Sequence, residues 1–154
     1  RVYVFYGSAT GISSTPSVSL DSPAGAGTKF GYNVSSPVDL NADGYSDLIV
    51  SADGADTNQG RVYVYMGSAS GIGTTPTTSI GSPGTSSQVG YGFGYFISSG
   101  DVNADGYGDI AVSAPSVANG TNAGAGAVYV FHGAASGVAT TPATSQPGVR
   151  GRGN

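Results

Sequence analysis

Val62-Tyr63-Val64-Tyr65-Met66-Gly67-Ser68-Ala69-Ser70-Gly71-Ile72 decides the fold, because the stretch occurs three times. Upstream it reads Val2-Tyr3-Val4-Phe5-Tyr6-Gly7-Ser8-Ala9-Thr10-Gly11-Ile12, and downstream Val128-Tyr129-Val130-Phe131-His132-Gly133-Ala134-Ala135-Ser136-Gly137-Val138. Each copy runs on into a Thr-Pro pair, at Thr15-Pro16, Thr75-Pro76 and Thr141-Pro142. The period is 60 residues from Val2 to Val62 and 66 from Val62 to Val128. Between the copies lie two versions of a second block, Phe30-Gly31-Tyr32 through Ala52 and Phe93-Gly94-Tyr95 through Ala114. Two interleaved blocks at this spacing mark a chain of stacked supersecondary units.

β-Branched and aromatic runs between turn residues predict four strands per period. The first covers about 31–38 and 94–100, the second 47–52 and 109–114, the third 61–66 and 127–132. A fourth, short and polar, is expected near 77–80. Asp-Gly, Asn119-Gly120, Gly-Ser-Ala and Ser82-Pro83-Gly84 supply the turns between them. The second and third strands are apolar on both faces, as strands sandwiched between neighbouring sheets must be. The fold class predicted is all-β: β-propeller blades, four-stranded antiparallel sheets, about two and a half of them. Residues 1–20 are assigned to the last two strands of a preceding blade, 30–82 and 93–146 to complete blades, and 147–154 to a flexible tail. Such a stack cannot close, and would leave apolar faces and strand edges unpaired. The remainder of a parent propeller, or copies of the chain itself, is therefore expected to complete the ring. A piece of a longer chain is favoured, since the sequence starts in mid-strand and its only Met is Met66.

Composition narrows the function. The chain has 27 Gly, no Cys, no Trp and no Glu, with a formal net charge of -4. Five basic residues make no stripe for a phosphate backbone, so nucleic acid is not an expected partner. No apolar run approaches the roughly 20 residues of a membrane span. All nine acidic residues are Asp, and six of them (Asp39, Asp43, Asp47, Asp101, Asp105, Asp109) fall in two nine-residue windows. Like charges gathered so closely disfavour the fold unless a cation neutralises them.

The windows read Asp39-Leu40-Asn41-Ala42-Asp43-Gly44-Tyr45-Ser46-Asp47 and Asp101-Val102-Asn103-Ala104-Asp105-Gly106-Tyr107-Gly108-Asp109. Side-chain oxygens at positions 1, 3, 5 and 9 can converge if the backbone turns tightly at position 6. Gly44 and Gly106 permit that turn. The carbonyls of Tyr45 and Tyr107 are expected as further ligands. Hard oxygen donors without His or Cys select Ca²⁺, and two such sites are predicted. An EF-hand is excluded, because Val50 and Val112 stand where its bidentate Glu belongs and strand-like runs replace its helices. A metal-free Asx turn is the plain alternative, and duplication of all four side-chain donors argues against it.

Taken together, these motifs resemble the FG-GAP repeat of integrin α N-terminal propellers and of many bacterial and fungal extracellular proteins. Phe30-Gly31 and Phe93-Gly94 match its opening, and Gly60–Val64 and Gly126–Val130 its Gly-x-Val-Tyr-Val strand. The Gly-Ala-Pro element survives loosely as Ser113-Ala114-Pro115 and, without proline, as Ser51-Ala52-Asp53. The resemblance implies structural calcium in both loops and a secreted or cell-surface location. It implies a binding or adhesion module for an extracellular protein. The alternative is a lectin with glycan sites between blades, and a third reading is a non-catalytic propeller attached to a secreted enzyme.

The residues themselves argue against an enzyme. His132 occupies a position that holds Tyr6 and Met66 in the other copies, and no Cys, Glu or Gly-x-Ser-x-Gly elbow exists. The Gly90–Gly94 stretch lacks the Lys-Ser/Thr of a phosphate loop. Among the ten tyrosines, Tyr3, Tyr32, Tyr45, Tyr63, Tyr95, Tyr107 and Tyr129 sit in repeated positions that packing explains. Tyr91 and Asn119–Asn122 are the freer candidates for a sugar.

Overall fold

The computed structural model describes residues 1–84, 92–118 and 124–148. Tyr91, Asn119–Asn122 and residues 149–154 of the expected tail lie outside the described residues. Strands β1 (Val2–Val4) and β4 (Val18–Leu20) pair antiparallel, with a small hairpin of β2 (Gly7–Ser8) and β3 (Gly11–Ile12) between them. A four-stranded sheet follows in the order β5 (Phe30–Val38), β6 (Asp47–Ala52), β7 (Arg61–Tyr65), β8 (Thr78–Gly81). A second repeats it with β9 (Ile97–Gly100), β10 (Asp109–Ala114), β11 (Ala127–Phe131) and β12 (Thr144–Pro147). All neighbours are antiparallel, so each sheet is a meander of the propeller-blade type. The fold is all-β. Among the described residues one helical turn, α1 (Ala55–Asn58), interrupts it, with left-handed φ at Asp56, Thr57 and Asn58.

β9 begins at Ile97, three residues after the predicted 94, and a serine hydroxyl stands in for part of the backbone ladder before it. Phe96 N–H donates to Ser113 Oγ at 3.0 Å. The same substitution occurs in the preceding sheet, where Asn33 N–H donates to Ser51 Oγ at 2.9 Å, inside the register shift between Phe30 and Val34. β12 extends to Pro147, one residue into the segment assigned to the tail.

Strand alternation sends each side chain of β6 and β7 to one of two cores. Ile49, Val62 and Val64 point to the following sheet and pack with Phe93, Ile110, Val112, Tyr129 and Phe131. Leu48, Val50, Tyr63 and Tyr65 point the other way, to Leu20, Val2, Val4 and Val18. The Phe of each Phe-Gly pair anchors its core edge-on: Phe30 lies 5.9 Å from Tyr63, and Phe93 5.9 Å from both Tyr129 and Phe131. The six residues of β6 are buried throughout, whereas β10 and β11 bury mainly the face turned to β6 and β7. Val62 is fully buried; its repeat partner Val128 is 43% exposed. Among the described residues no helix is long and apolar enough to cross a membrane.

Candidate metal centre

Both Asp/Asn windows form the connection from the first to the second strand of a sheet, β5 to β6 and β9 to β10. Gly44 (φ 88°) and Gly106 (φ 90°) take the left-handed turn expected of them. Ala42 (φ 57°) and Ala104 (φ 61°) also adopt positive φ, which the sequence reading missed; a small residue at position 4 of both copies was the only signal. In the first loop Asp43 N–H is 3.1 Å from Asp39 Oδ1 and 3.2 Å from Asn41 Oδ1, so both oxygens meet one donor. Gly44 N–H reaches Asp39 Oδ2 at 2.8 Å, Tyr45 N–H reaches Asp43 Oδ1 at 2.9 Å, and Asn41 Nδ2 donates to Asp43 Oδ2 at 2.9 Å. The second loop reproduces the set: Asp105 N–H to Asp101 Oδ1 and Asn103 Oδ1, Gly106 N–H to Asp101 Oδ2, Tyr107 N–H to Asp105 Oδ1, and Asn103 to Asp105.

Position 9 lies deeper. Asp47 is fully buried and accepts Leu40 N–H on Oδ2 (2.7 Å) and Gly67 N–H on Oδ1 (2.8 Å). Burial pushes the Asp47 carboxyl above its ordinary range, its two backbone donors pull it down, and the charges of Asp43 and Asp39 push it up again. Asp109 is held alike, by Val102 N–H on Oδ2 and Gly133 N–H on Oδ1. His132 Nδ1 stands 3.1 Å from Asp109 Oδ1 and 3.4 Å from Asn103 Nδ2, where the first loop has Met66. Gly67 and Gly133 were visible as a repeated glycine, but their role as donors to position 9 was not.

Among the described residues no three His, Cys, Asp or Glu side chains form a metal cluster by themselves. The carboxylates instead bond the loop's own N–H groups, and each donor set includes an Asn. The pattern of ion pairs decides whether a cation fits. Arg1, Lys29 and Arg61 are the basic side chains of the described residues, and they pair with Asp21, Asp53 and Asp56, the three aspartates outside the loops. None of the six loop aspartates has a Lys or Arg partner among the described residues. Lys and Arg neutralise acid outside the loops and none of the acid inside them. An all-oxygen set of this kind fits a hard divalent ion.

The FG-GAP repeat model matches residues 30–65 and 93–131, each match spanning Phe-Gly, one loop and the Val-Tyr-Val strand. The chain belongs to the FG-GAP repeat family. It is 39% identical over 127 residues to integrin alpha-6 of Gallus gallus, covering 77% of this chain and 10% of that protein. Integrin alpha-5 of Xenopus laevis is 39% identical over 123 residues, 73% of this chain and 11% of that protein. Integrin alpha pat-2 of Caenorhabditis briggsae is 44% identical over 92 residues, 56% and 7%. The chain thus spans about a tenth of the length of these curated relatives.

FG-GAP packing revises the reading of the tyrosines. Tyr63 and Tyr129 are buried, but Tyr3, Tyr32 and Tyr45 are 52%, 47% and 43% exposed. Tyr3 lies on the outer side of β1, Tyr45 on a loop, and Tyr32 on β5, where its ring is 5.3 Å from Tyr95. A repeated position is a core position only where another sheet covers it.

Proposed function

We propose that this chain is a calcium-stabilised segment of an integrin-like β-propeller that acts as an extracellular binding or adhesion module for a protein ligand, without enzymatic activity. One observation carries the calcium reading: every described Lys and Arg pairs with an aspartate outside the loops, leaving six loop carboxylates for a cation. Asp39, Asn41, Asp43, Asp47 and the Tyr45 carbonyl hold one Ca²⁺. Asp101, Asn103, Asp105, Asp109 and the Tyr107 carbonyl hold the other. Each ion neutralises three carboxylates and fixes the turn between the first two strands of its blade.

Further blades, from a parent propeller or from copies of this chain, cover the open flanks. Val128 and Val102 on one side and Tyr3 and Phe5 on the other are the exposed apolar residues that support this. Kinship with integrin alpha chains supports secretion or display at the cell surface. Domain limits of 1–20, 30–82, 93–146 and 147–154 go with this reading.

An ion that binds the folded chain and not the unfolded one stabilises by mass action, about 2.7 kcal/mol per site at one hundred times Kd. Thermal melting in calcium and in metal-depleted buffer tests it. Calcium raises the melting temperature, and Asp43→Ala and Asp105→Ala each remove part of the rise. Superimposable curves would refute the metal reading.

The lectin alternative draws on one feature, the aromatic seam between blades where Tyr32, Tyr95 and the 63% exposed Phe96 adjoin. Glycan-array binding that requires calcium would favour it. A blank array with protein capture by pull-down would favour adhesion.

A further inference from the structure

The two loops touch each other, and the contact is made of main chain. Gly108 N–H, at position 8 of the second loop, donates to the carbonyl of Asp39, at position 1 of the first, at 2.8 Å. A Cβ on Gly108 would strike Val38 Cγ2 and stand 2.8 Å from the Asp39 carbonyl. Gly133, whose N–H holds Asp109 Oδ1, is just as confined: a Cβ there would strike the Gly108 carbonyl and lie 2.5 Å from the Leu40 carbonyl. Leu40 in turn gives its N–H to Asp47 Oδ2. A buried run of peptides therefore joins the position 9 carboxylate of one loop to that of the other. The difference between the loops fits this contact. Position 8 of the first loop is the exposed Ser46, and only the copy that packs against another loop lacks a side chain there.

We propose that the two loops bind their ions as a coupled pair, with Gly108 as the positioning residue that links them. This rests on the reading that each loop holds a divalent cation. An ion in the second loop fixes the Tyr107–Gly108 peptide through the Tyr107 carbonyl, and through its Gly108 N–H the Asp39–Leu40 peptide that begins the first loop. The next ion then enters a loop already ordered, and less conformational entropy is lost on its binding. Reciprocity requires the first loop to favour the second by the same factor.

Terbium titration of the full 154-residue chain, read as luminescence sensitised by Tyr45 and Tyr107, tests the coupling. Asp43→Ala leaves the second loop to be measured and Asp105→Ala the first. Coupling predicts a wild-type curve with a Hill coefficient above one, and a remaining site about five-fold or more weaker in either variant. Gly108→Ser, which copies Ser46, is expected to keep both ions and lose the cooperativity. The two Asp variants carry the test alone if that variant does not fold. A non-cooperative wild type, with each variant within about two-fold of it, would overturn the coupling and leave the metal sites standing. No terbium bound to the wild type would overturn the sites and the coupling together.

Discussion

Asp53 stands where the other copy of the repeat has Pro115, and its surroundings explain how an acid is tolerated there. Its side chain is 1% exposed, with Lys29 Nζ 3.5 Å from Oδ2 and no hydrogen-bond partner for Oδ1 among the described residues. Lys29→Met would strand that carboxylate. The loss is expected at about 1–3 kcal/mol, toward the lower end because the Lys29 ammonium is half exposed and screened. Adding Asp53→Asn should recover most of it, and urea unfolding of the single and double variants checks both. The sequence showed only that a proline was missing there, because nothing local indicates that Lys29 returns to a residue 24 positions on. The loop turns were legible for the opposite reason: their aspartates accept from N–H groups a few residues on, about one glycine. Tyr65 gives a pH dependence. Burial pushes its phenol up to about 12, so the folded chain keeps a proton that the unfolded chain releases near 10. Stability is full below pH 10 and falls as pH rises from 10 toward 12; Tyr65→Phe should reduce the fall, as read from denaturant midpoints across that range.

The second strand of each sheet was readable to the residue, and the start of β9 was not. β6 and β10 occupy the predicted spans, 47–52 and 109–114, since each is three apolar residues opened by the last Asp of a loop and closed by Ser-Ala. Ser113 Oγ receives the Phe96 N–H as Ser51 Oγ receives the Asn33 N–H, but only β5 pairs again beyond that point, at Phe30 and Ala52, so the strand before β10 is shorter than its sequence suggests. Burial follows position in the stack more than residue type. Ile49→Ala, between two sheets, should cost about 2–5 kcal/mol. Val128→Ala, on the open face of β11, should change stability by less than about 0.5 kcal/mol in the isolated chain. Equilibrium unfolding of the two variants compares them directly, and equal losses would mean that the outer face is covered.

At the scale of the molecule, the repeat and its alternation made the blade architecture legible, while the state of the flanks depends on residues beyond any single blade. Val102 is 65% and Tyr3 52% exposed, at opposite ends of the stack. In isolation the chain is expected to self-associate through these faces, seen as a sedimentation coefficient that rises with concentration; a monomer at all concentrations would count against the need for further blades. The proposed ions would act at this scale too, since both loops lie on the seam that joins neighbouring blades. Native mass spectrometry in calcium counts them directly. Two ions per chain are expected, falling to one after Asp43→Ala or Asp105→Ala. A chain that keeps its β-sheet circular dichroism and carries no calcium would contradict the assignment of the loops.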